Sequence, residues 1–325
     1  MIECLSSPEW INPQLNFLEM LQNVRNAHFL NFNGFFLSVT ILGETWLPTL
    51  ICAVIYWCIC PKSGMYLFSL YGVELYLTQL FKMLACVYRP WVLSDKIKPV
   101  EKAIAMARGY SFPSGHSATS SSILGGIAFL NRKNKLVLIS LVFLFLLVGF
   151  SRMWLGVHTP QDVVVGLSIG ICCVFAMNYL IEFFEKNKKR YLYAIFVFDV
   201  LVVLALIYVC FFNQFPMDYI GGQLLVDPKH SIQSFLYCQG YALGLVNGAF
   251  LCRYFKPFDL TSITLKQKIF RAVIGIICLI ILLKYVASIM FACFANFGIL
   301  FCYSLFVGLF VTLFYPLMFQ KFQKQ

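Results

Sequence analysis

The chain has 325 residues, of which 60% are hydrophobic, 17% aromatic and only 12% charged; a soluble domain is typically about 45–50% apolar and about 25% charged. With a mean hydropathy of +0.80, too little polar material is left to coat a water-facing surface, which excludes a soluble enzyme, a disordered chain and a nucleic-acid-binding protein. The net charge of +11 is read instead through the loops that hold the cations, the orienting signal of a membrane protein.

Residues 1–45 are expected to form an interfacial or partly inserted N-terminal segment. Glu3, Glu9 and Glu19 interrupt it, so it is not a cleavable signal peptide. Trp10, Ile11, Leu15, Leu18 and Leu21 recur at roughly helical spacing, the pattern of an amphipathic helix lying in the interface. Residues 29–42 are apolar but broken by Asn31, Asn33 and Gly34, a partial insertion that can join the short apolar stretch after it. A hydrocarbon core about 30 Å thick needs about 20 apolar residues per helix. On that measure spans are expected near 46–60, 64–87, 116–130, 136–153 and 160–183, a membrane core over 46–183. Four more follow near 191–212, 232–252, 270–290 and 296–318, a C-terminal extension over 184–325. The fold class is all-α, a polytopic membrane helix bundle of about nine spans. Of the thirteen cysteines, most (Cys52, Cys58, Cys60, Cys86, Cys172, Cys173, Cys210, Cys278) sit in apolar runs as small hydrophobes, with no disulfide or zinc-ligand spacing.

Fifteen of the 25 basic residues fall in one set of alternate loops: Lys62; Arg132, Lys133 and Lys135; Lys186, Lys188, Lys189 and Arg190; Arg253, Lys256, Lys266, Lys268 and Arg271; Lys321 and Lys324. The positive-inside rule then places the N-terminus outside and the C-terminus inside. Loop 88–115 runs against that trend, with five basic residues between Arg89 and Arg108 on the outward side. Three sequence pieces gather at outward span ends. The first is Lys82, then Arg89-Pro90 after six residues; the second is Pro113-Ser114-Gly115-His116. The third is Ser151-Arg152, then His158 after five residues and Asp162 four beyond it. Each has a bland reading alone: a snorkelling lysine, a capped helix start, and a Thr159-Pro160 helix opening. Together they place two of the four histidines on one membrane face.

The chemistry that suits this set is phosphoryl transfer. Lys82, Arg89 and Arg152 offer fixed positive charge to a phosphate and to its transition state. Ser114 and Gly115 stand where a helix begins, so backbone N–H groups and the helix dipole can hold phosphate oxygens, and the glycine permits close approach. One histidine serves as nucleophile and the other as general acid. Asp162, in the first turn of the next helix, can accept the His158 imidazole proton and stabilise its cation. No carboxylate cluster is placed to hold Mg²⁺, so neither a metal nor another cofactor is expected.

These pieces, in this order, resemble the three-part signature of the type 2 phosphatidic acid phosphatase superfamily, KxxxxxxRP, PSGH and SRxxxxxHxxxD, without a substitution. The resemblance implies that His158 is the nucleophile of a phosphohistidine intermediate, oriented by Asp162. It further implies that His116 protonates the leaving alcohol and that Lys82, Arg89, Ser114, Gly115 and Arg152 bind the phosphoryl group. Gly109-Tyr110-Ser111-Phe112 resembles the lead-in of bacterial members, and with it the expected location is a bacterial plasma membrane, the site facing outside. The nine-span layout resembles that of glucose-6-phosphatases, although Asp162 stands where those enzymes lack an Asp. The implied activity is hydrolysis of a lipid phosphate or pyrophosphate, with the lipid bilayer and a phosphate ester as partners. A phosphotransferase or a vanadate-dependent haloperoxidase on the same scaffold, or a multi-span transporter, are the alternatives.

Four further features are singled out. Glu74 lies two turns before Lys82, as a structural hydrogen-bonding group or a site residue. Asp199 and Lys284 are a candidate ion pair across spans. Gly240, Gly244 and Gly248, and Gly166 with Gly170, read as close helix-packing faces. His28 and His230 fall outside the motifs.

Overall fold

A computed structural model describes residues 11–27, 32–107, 109–187, 189–220, 222–255, 260, 263–293 and 296–322. Glu3, Glu9, Trp10, His28, Asn31, Arg108, Lys188, Lys256 and Lys324, named above, lie outside the described residues. The described chain is nearly all helical, apart from a two-stranded antiparallel ribbon, β1 (Tyr219–Ile220) and β2 (Gln223–Leu224), with Tyr219 opposite Leu224.

Helix α1 (Asn12–Ala27) forms where its period predicts, but its apolar stripe is not turned to lipid. Ile11, Leu15, Leu18 and Leu21 are buried against Ile97, Phe150 and Met153. Polar neighbours fix that docking: Arg25 donates to the carbonyls of Trp154 and Lys98, and Gln22 to that of Lys96. Helix α2 (Asn33–Thr40) and helix α3 (Trp46–Val54, continued by a wider π-type turn to Ile59) form a bent pair, 55° apart across a short break. Here the partial insertion joins the short span.

The remaining long helices are α4 (Pro61–Ala85), α7 (Gly115–Leu130), α8 (Lys135–Trp154), α9 (Pro160–Glu185), α10 (Lys189–Ile207) and α11 (Pro228–Phe255). After them come α12 (Leu265–Ile280), α13 (Ala287–Cys293), α14 (Phe297–Leu309) and α15 (Tyr315–Phe322); two single turns, α5 (Pro90–Leu93) and α6 (Glu101–Ile104), precede α7. Local chemistry sets the ends. Pro61 and Pro160 occupy first turns, where a missing N–H costs nothing. Ser114, Asn134 and Thr264 cap α7, α8 and α12 with side-chain oxygens.

Among the described residues, seven helices are long and apolar enough to cross a membrane, or eight with the bent pair. Helix α7, at 16 residues, is the predicted span that falls short of that length. Outward faces carry Ile139, Phe143, Phe175, Phe196 and Ile277, all exposed, as lipid contact requires. Helix α11 is the most enclosed, with Phe235, Tyr241, Leu245 and Phe250 in the main core. Its Gly240, Gly244 and Gly248 receive Ser304, Leu305 and Thr312 of the α14 region, the close packing that their spacing predicts. Gly166 and Gly170 serve likewise between α9 and α7: a Cβ on either would stand 2.5 Å from a backbone oxygen, of Ser114 or Ala118.

The Asp199–Lys284 pair does not form. Asp199 accepts from Asn247 Nδ2 at 2.8 Å, and the Lys284 ammonium lies 3.9 Å from the centre of the Trp46 ring. Helix α10 packs on α9 and α11, whereas α12 packs on α3. Their depths already differ by about 9 Å in helix rise, and their helices lie against different neighbours. The described cysteines are free thiols.

Candidate active site

The C-terminal end of α4, the start of α7, the end of α8 and the start of α9 meet at one end of the bundle. The three sequence pieces come together there, beside a cavity of about 740 Å³. Lys82, Arg89, Gly115, His116 and His158 line it; Ser114, Arg152 and Asp162 stand behind that lining.

At its centre is His158. Its Nδ1 stands 3.3 Å from Asp162 Oδ2, which also accepts from Ser111 Oγ at 2.6 Å and from the Thr159 N–H at 2.9 Å. That carboxylate oxygen selects the tautomer with a proton on Nδ1, which leaves the ring's lone pair on Nε2. Arg89 Nη1 faces Nε2 at 2.9 Å. Arg89 is itself held by the carbonyls of Gly109 and Val157, both at 3.1 Å. His158 lies between α8 and α9, 2% exposed. Burial first, and then the charges of Arg89, Arg152 and Lys82, hold its imidazole well below the ordinary range, so it rests neutral. The local sequence produces this placement. Thr159 and Asp162 form a capping box at the start of α9, and that box holds the acidic side chain one turn from the imidazole.

His116 occupies the first turn of α7, and its Nε2 is buried with no hydrogen-bond partner. A proton-carrying or proton-accepting atom is thus left open to a ligand. Gly43, at the break between α2 and α3, fits against this residue so closely that a Cβ would lie 2.6 Å from the His116 carbonyl oxygen. Gly115 has open space where a Cβ would point, in keeping with its place on the cavity wall.

Three residues sit differently from the simplest phosphate-binding expectation. Lys82 Nζ donates to the carbonyls of Tyr110, Ser111 and Pro113 at 3.0, 3.3 and 3.0 Å, so its three protons clamp the loop before α7. The Ser114 N–H donates to the Asp162 carbonyl at 3.0 Å, because α9 packs closely there, and its hydroxyl caps α7. Arg152 is fully buried. Its Nη1 donates to Thr40 Oγ1 at 2.7 Å, while Nε and Nη2 have no partner.

Sequence reading missed several neighbours. Ser111 holds the Asp162 carboxylate, and Thr40 reaches Arg152 from 112 residues away. Tyr237, Leu283, Ala287 and Phe291 form a wall from the C-terminal part of the chain, and nothing local in the sequence announced it. Glu74, singled out from its spacing to Lys82, makes the structural hydrogen bonds of one reading, accepting from Thr78 Oγ1 at 2.8 Å and Thr119 Oγ1 at 3.2 Å, and also lines the cavity with Lys82. Among the described residues, no group of three His, Cys, Asp or Glu side chains is placed to hold a metal.

Residues 63–186 match the PAP2 superfamily, and residues 237–325 match the PAP2 superfamily phosphatase, transmembrane extension. The chain is similar to phosphatidylglycerophosphatase B of Bacillus subtilis, 31% identical over 34% of this chain and 55% of that protein. It is 26% identical to a probable sphingosine-1-phosphate phosphatase of Dictyostelium discoideum, over 51% of this chain and 42% of that one. An undecaprenyl-diphosphatase of Sulfolobus acidocaldarius is 24% identical over 47% of this chain and 72% of its own length. The chain thus spans about half the length of the first two of these relatives. Among solved structures, a transmembrane PAP2-type phosphatidylglycerolphosphate phosphatase from Bacillus subtilis aligns at 25% identity and a TM-score of 0.43, over 53% of this chain and 87% of that one. The two family matches together take in about two thirds of the sequence: residues 63–186 carry a PAP2 superfamily domain, and residues 237–325 carry the transmembrane extension found in PAP2 superfamily phosphatases.

Proposed function

We propose that this protein is an integral-membrane, metal-independent phosphatase that hydrolyses a lipid phosphate or pyrophosphate through a phosphohistidine at His158. The observation that carries the reading is the line of groups Asp162 Oδ2, His158 Nδ1, His158 Nε2 and Arg89 Nη1, with separations of 3.3 Å at the carboxylate and 2.9 Å at the guanidinium. A phosphoryl group entering between Arg89 and Nε2 meets a lone pair on one side and a cation on the other.

Nε2 attacks phosphorus, the bond to the leaving oxygen breaks, and His116 delivers a proton to that oxygen. Asp162 holds the imidazole cation that results. Water then attacks phosphorus, giving its proton to His116, and the phosphorus–nitrogen bond breaks to return His158 to neutrality. Arg89 and Arg152, with the N-terminus of α7 at Gly115, neutralise the charge that develops on the phosphoryl oxygens. Lys82 shapes the loop before α7 and adds positive potential.

The bent pair and α7, added to the seven long helices, complete nine spans. The distribution of basic residues then favours an N-out, C-in orientation with the site at the outer face of a bacterial plasma membrane. Residues 46–183 act as the catalytic membrane core, 1–45 as its N-terminal segment, and 184–325 as the extension whose Tyr237 and Phe291 line the cavity.

The test is phosphate release by purified His158→Ala from phosphatidate and a polyprenyl pyrophosphate, with EDTA present. Release is expected to vanish, and acid quench of the wild type during turnover should trap phosphate on His158. Retained activity in the variant sinks the mechanism. Incorporation of labelled oxygen from water into the released phosphate separates hydrolysis from transfer to another acceptor.

A further inference from the structure

The cavity does not end at the phosphoryl site. Its volume of about 740 Å³ is in the range of sites that enclose a whole small molecule, about 300–1,000 Å³. His116, assigned the leaving oxygen, and Thr119 lie one turn apart on α7, and residues so spaced share a helix face. Thr119 Oγ1 reaches Glu74 Oε2 at 3.2 Å and Thr78 Oγ1 reaches Glu74 Oε1 at 2.8 Å. The polar ground therefore continues from the leaving-group side of the reaction along α4, roughly 12 Å from Lys82 in helix rise. Gln79 adds an amide to this floor, and Tyr237 and Phe291, rings 5.2 Å apart, form the facing wall.

Glu74 is fully buried, in a place where hydrocarbon lipid tails alone would be better served by an apolar residue. Each of its oxygens takes one threonine proton and keeps capacity for another. The threonine hydroxyls and the glutamine amide can both donate and accept. Such a mixture suits hydroxyl groups, which do both; an ammonium group needs acceptors alone. Flat aromatic faces on the opposite wall suit the apolar side of a ring.

Resting on the phosphatase reading, we infer that this cavity is a subsite for a polyhydroxyl leaving group, a polyol or sugar carrying the phosphate, with Glu74 as its specificity-determining acceptor. The same chemistry is offered by a phosphorylated polyol on a lipid and by the free polyol phosphate. The C-terminal extension takes part in substrate choice through Tyr237 and Phe291.

The experiment measures kcat/KM of the full-length protein in detergent on four substrates. These are phosphatidate, phosphatidylinositol 4-phosphate in mixed micelles, free inositol phosphate, and an amine-bearing long-chain base phosphate. Glu74→Leu is expected to lower the ratio of inositol-type to phosphatidate turnover by about 3- to 10-fold, the scale of one lost hydrogen bond. Glu74→Gln, which keeps one acceptor oxygen, should lower it by less, and it reads the same ratio if the leucine variant does not fold. The lipid and free inositol arms show which source is used. An unchanged ratio in both variants, a selective loss on the amine-bearing substrate, or wild-type turnover of phosphatidate alone overturns the inference. His158→Ala is run alongside: its inactivity on every substrate keeps the phosphatase reading standing whatever the Glu74 ratio does, and its activity removes that reading independently.

Discussion

Replacing Asp162 by Asn keeps the shape of the side chain and removes its charge. Oδ2 now accepts from Ser111 Oγ at 2.6 Å and Thr159 N at 2.9 Å, and stands 3.3 Å from His158 Nδ1. The amide oxygen of Asn can accept from the same two donors, so the capping of α9 survives and stability should fall by no more than about 1 kcal/mol. The reaction loses more. Once Nε2 bonds to phosphorus the ring is a cation, and a carboxylate at 3.3 Å is worth at most ~5 kcal/mol at an effective dielectric near 20. Desolvation of both groups offsets part of this. What is left, roughly 3–4 kcal/mol, corresponds to a fall in kcat of about 10²- to 10³-fold. Initial rates of phosphate release from phosphatidate micelles, with thermal unfolding measured on the same preparation, supply the check. A variant that melts with the wild type and loses less than about tenfold in kcat would falsify the assignment of Asp162 as the stabiliser of the histidine cation.

Three further outcomes follow from the same geometry. Because His158 must be neutral to attack and is held below its ordinary value, the acid limb of kcat/KM should lie below the usual imidazole range, about 6.5. Arg152→Gln removes a neighbouring cation and raises that value, so the limb moves to higher pH; a limb that stays or moves lower in the pH–rate profile contradicts the assignment. Lys82→Met strips three hydrogen bonds from the carbonyls of Tyr110, Ser111 and Pro113. It should cost about 2–4 kcal/mol of stability, read as a lowered unfolding temperature together with lost activity. Gly170→Ala places a methyl against Ser121 and 2.5 Å from the Ala118 carbonyl oxygen. Overpacking of that kind typically costs about 1–3 kcal/mol, and an unfolding temperature equal to that of the wild type would show that α9 and α7 can part freely.

The site was legible because its parts lie at helix ends, where a few residues of sequence carry both the turn and the chemistry. His158, Thr159 and Asp162 are such a case: the cap that starts α9 also orients the imidazole. Glycine spacing on α11 and α9 likewise foretold close neighbours, since a missing side chain has few other uses inside a span. Lateral arrangement was not legible. Asp199 and Lys284, a candidate pair despite a depth difference of about 9 Å, have different neighbours, and hydropathy is blind to rotation around the bundle. The docking of α1 was misread for a related reason. An apolar stripe fits lipid or protein equally well, and only the distant partners Ile97 and Trp154 decide between them. Lys82 illustrates a third limit. Its charge could be read from sequence, but not that three carbonyls already occupy it.

The contact of Thr40 with Arg152, separated by 112 residues, has a consequence for how the cavity is assembled. The break at Gly43 seats against His116, and Phe291 lines the same cavity from far along the chain. Contacts of such separation pay loop-closure entropy before they reward it. Enclosure of the cavity should therefore follow, not precede, pairing of the helices next to one another in sequence.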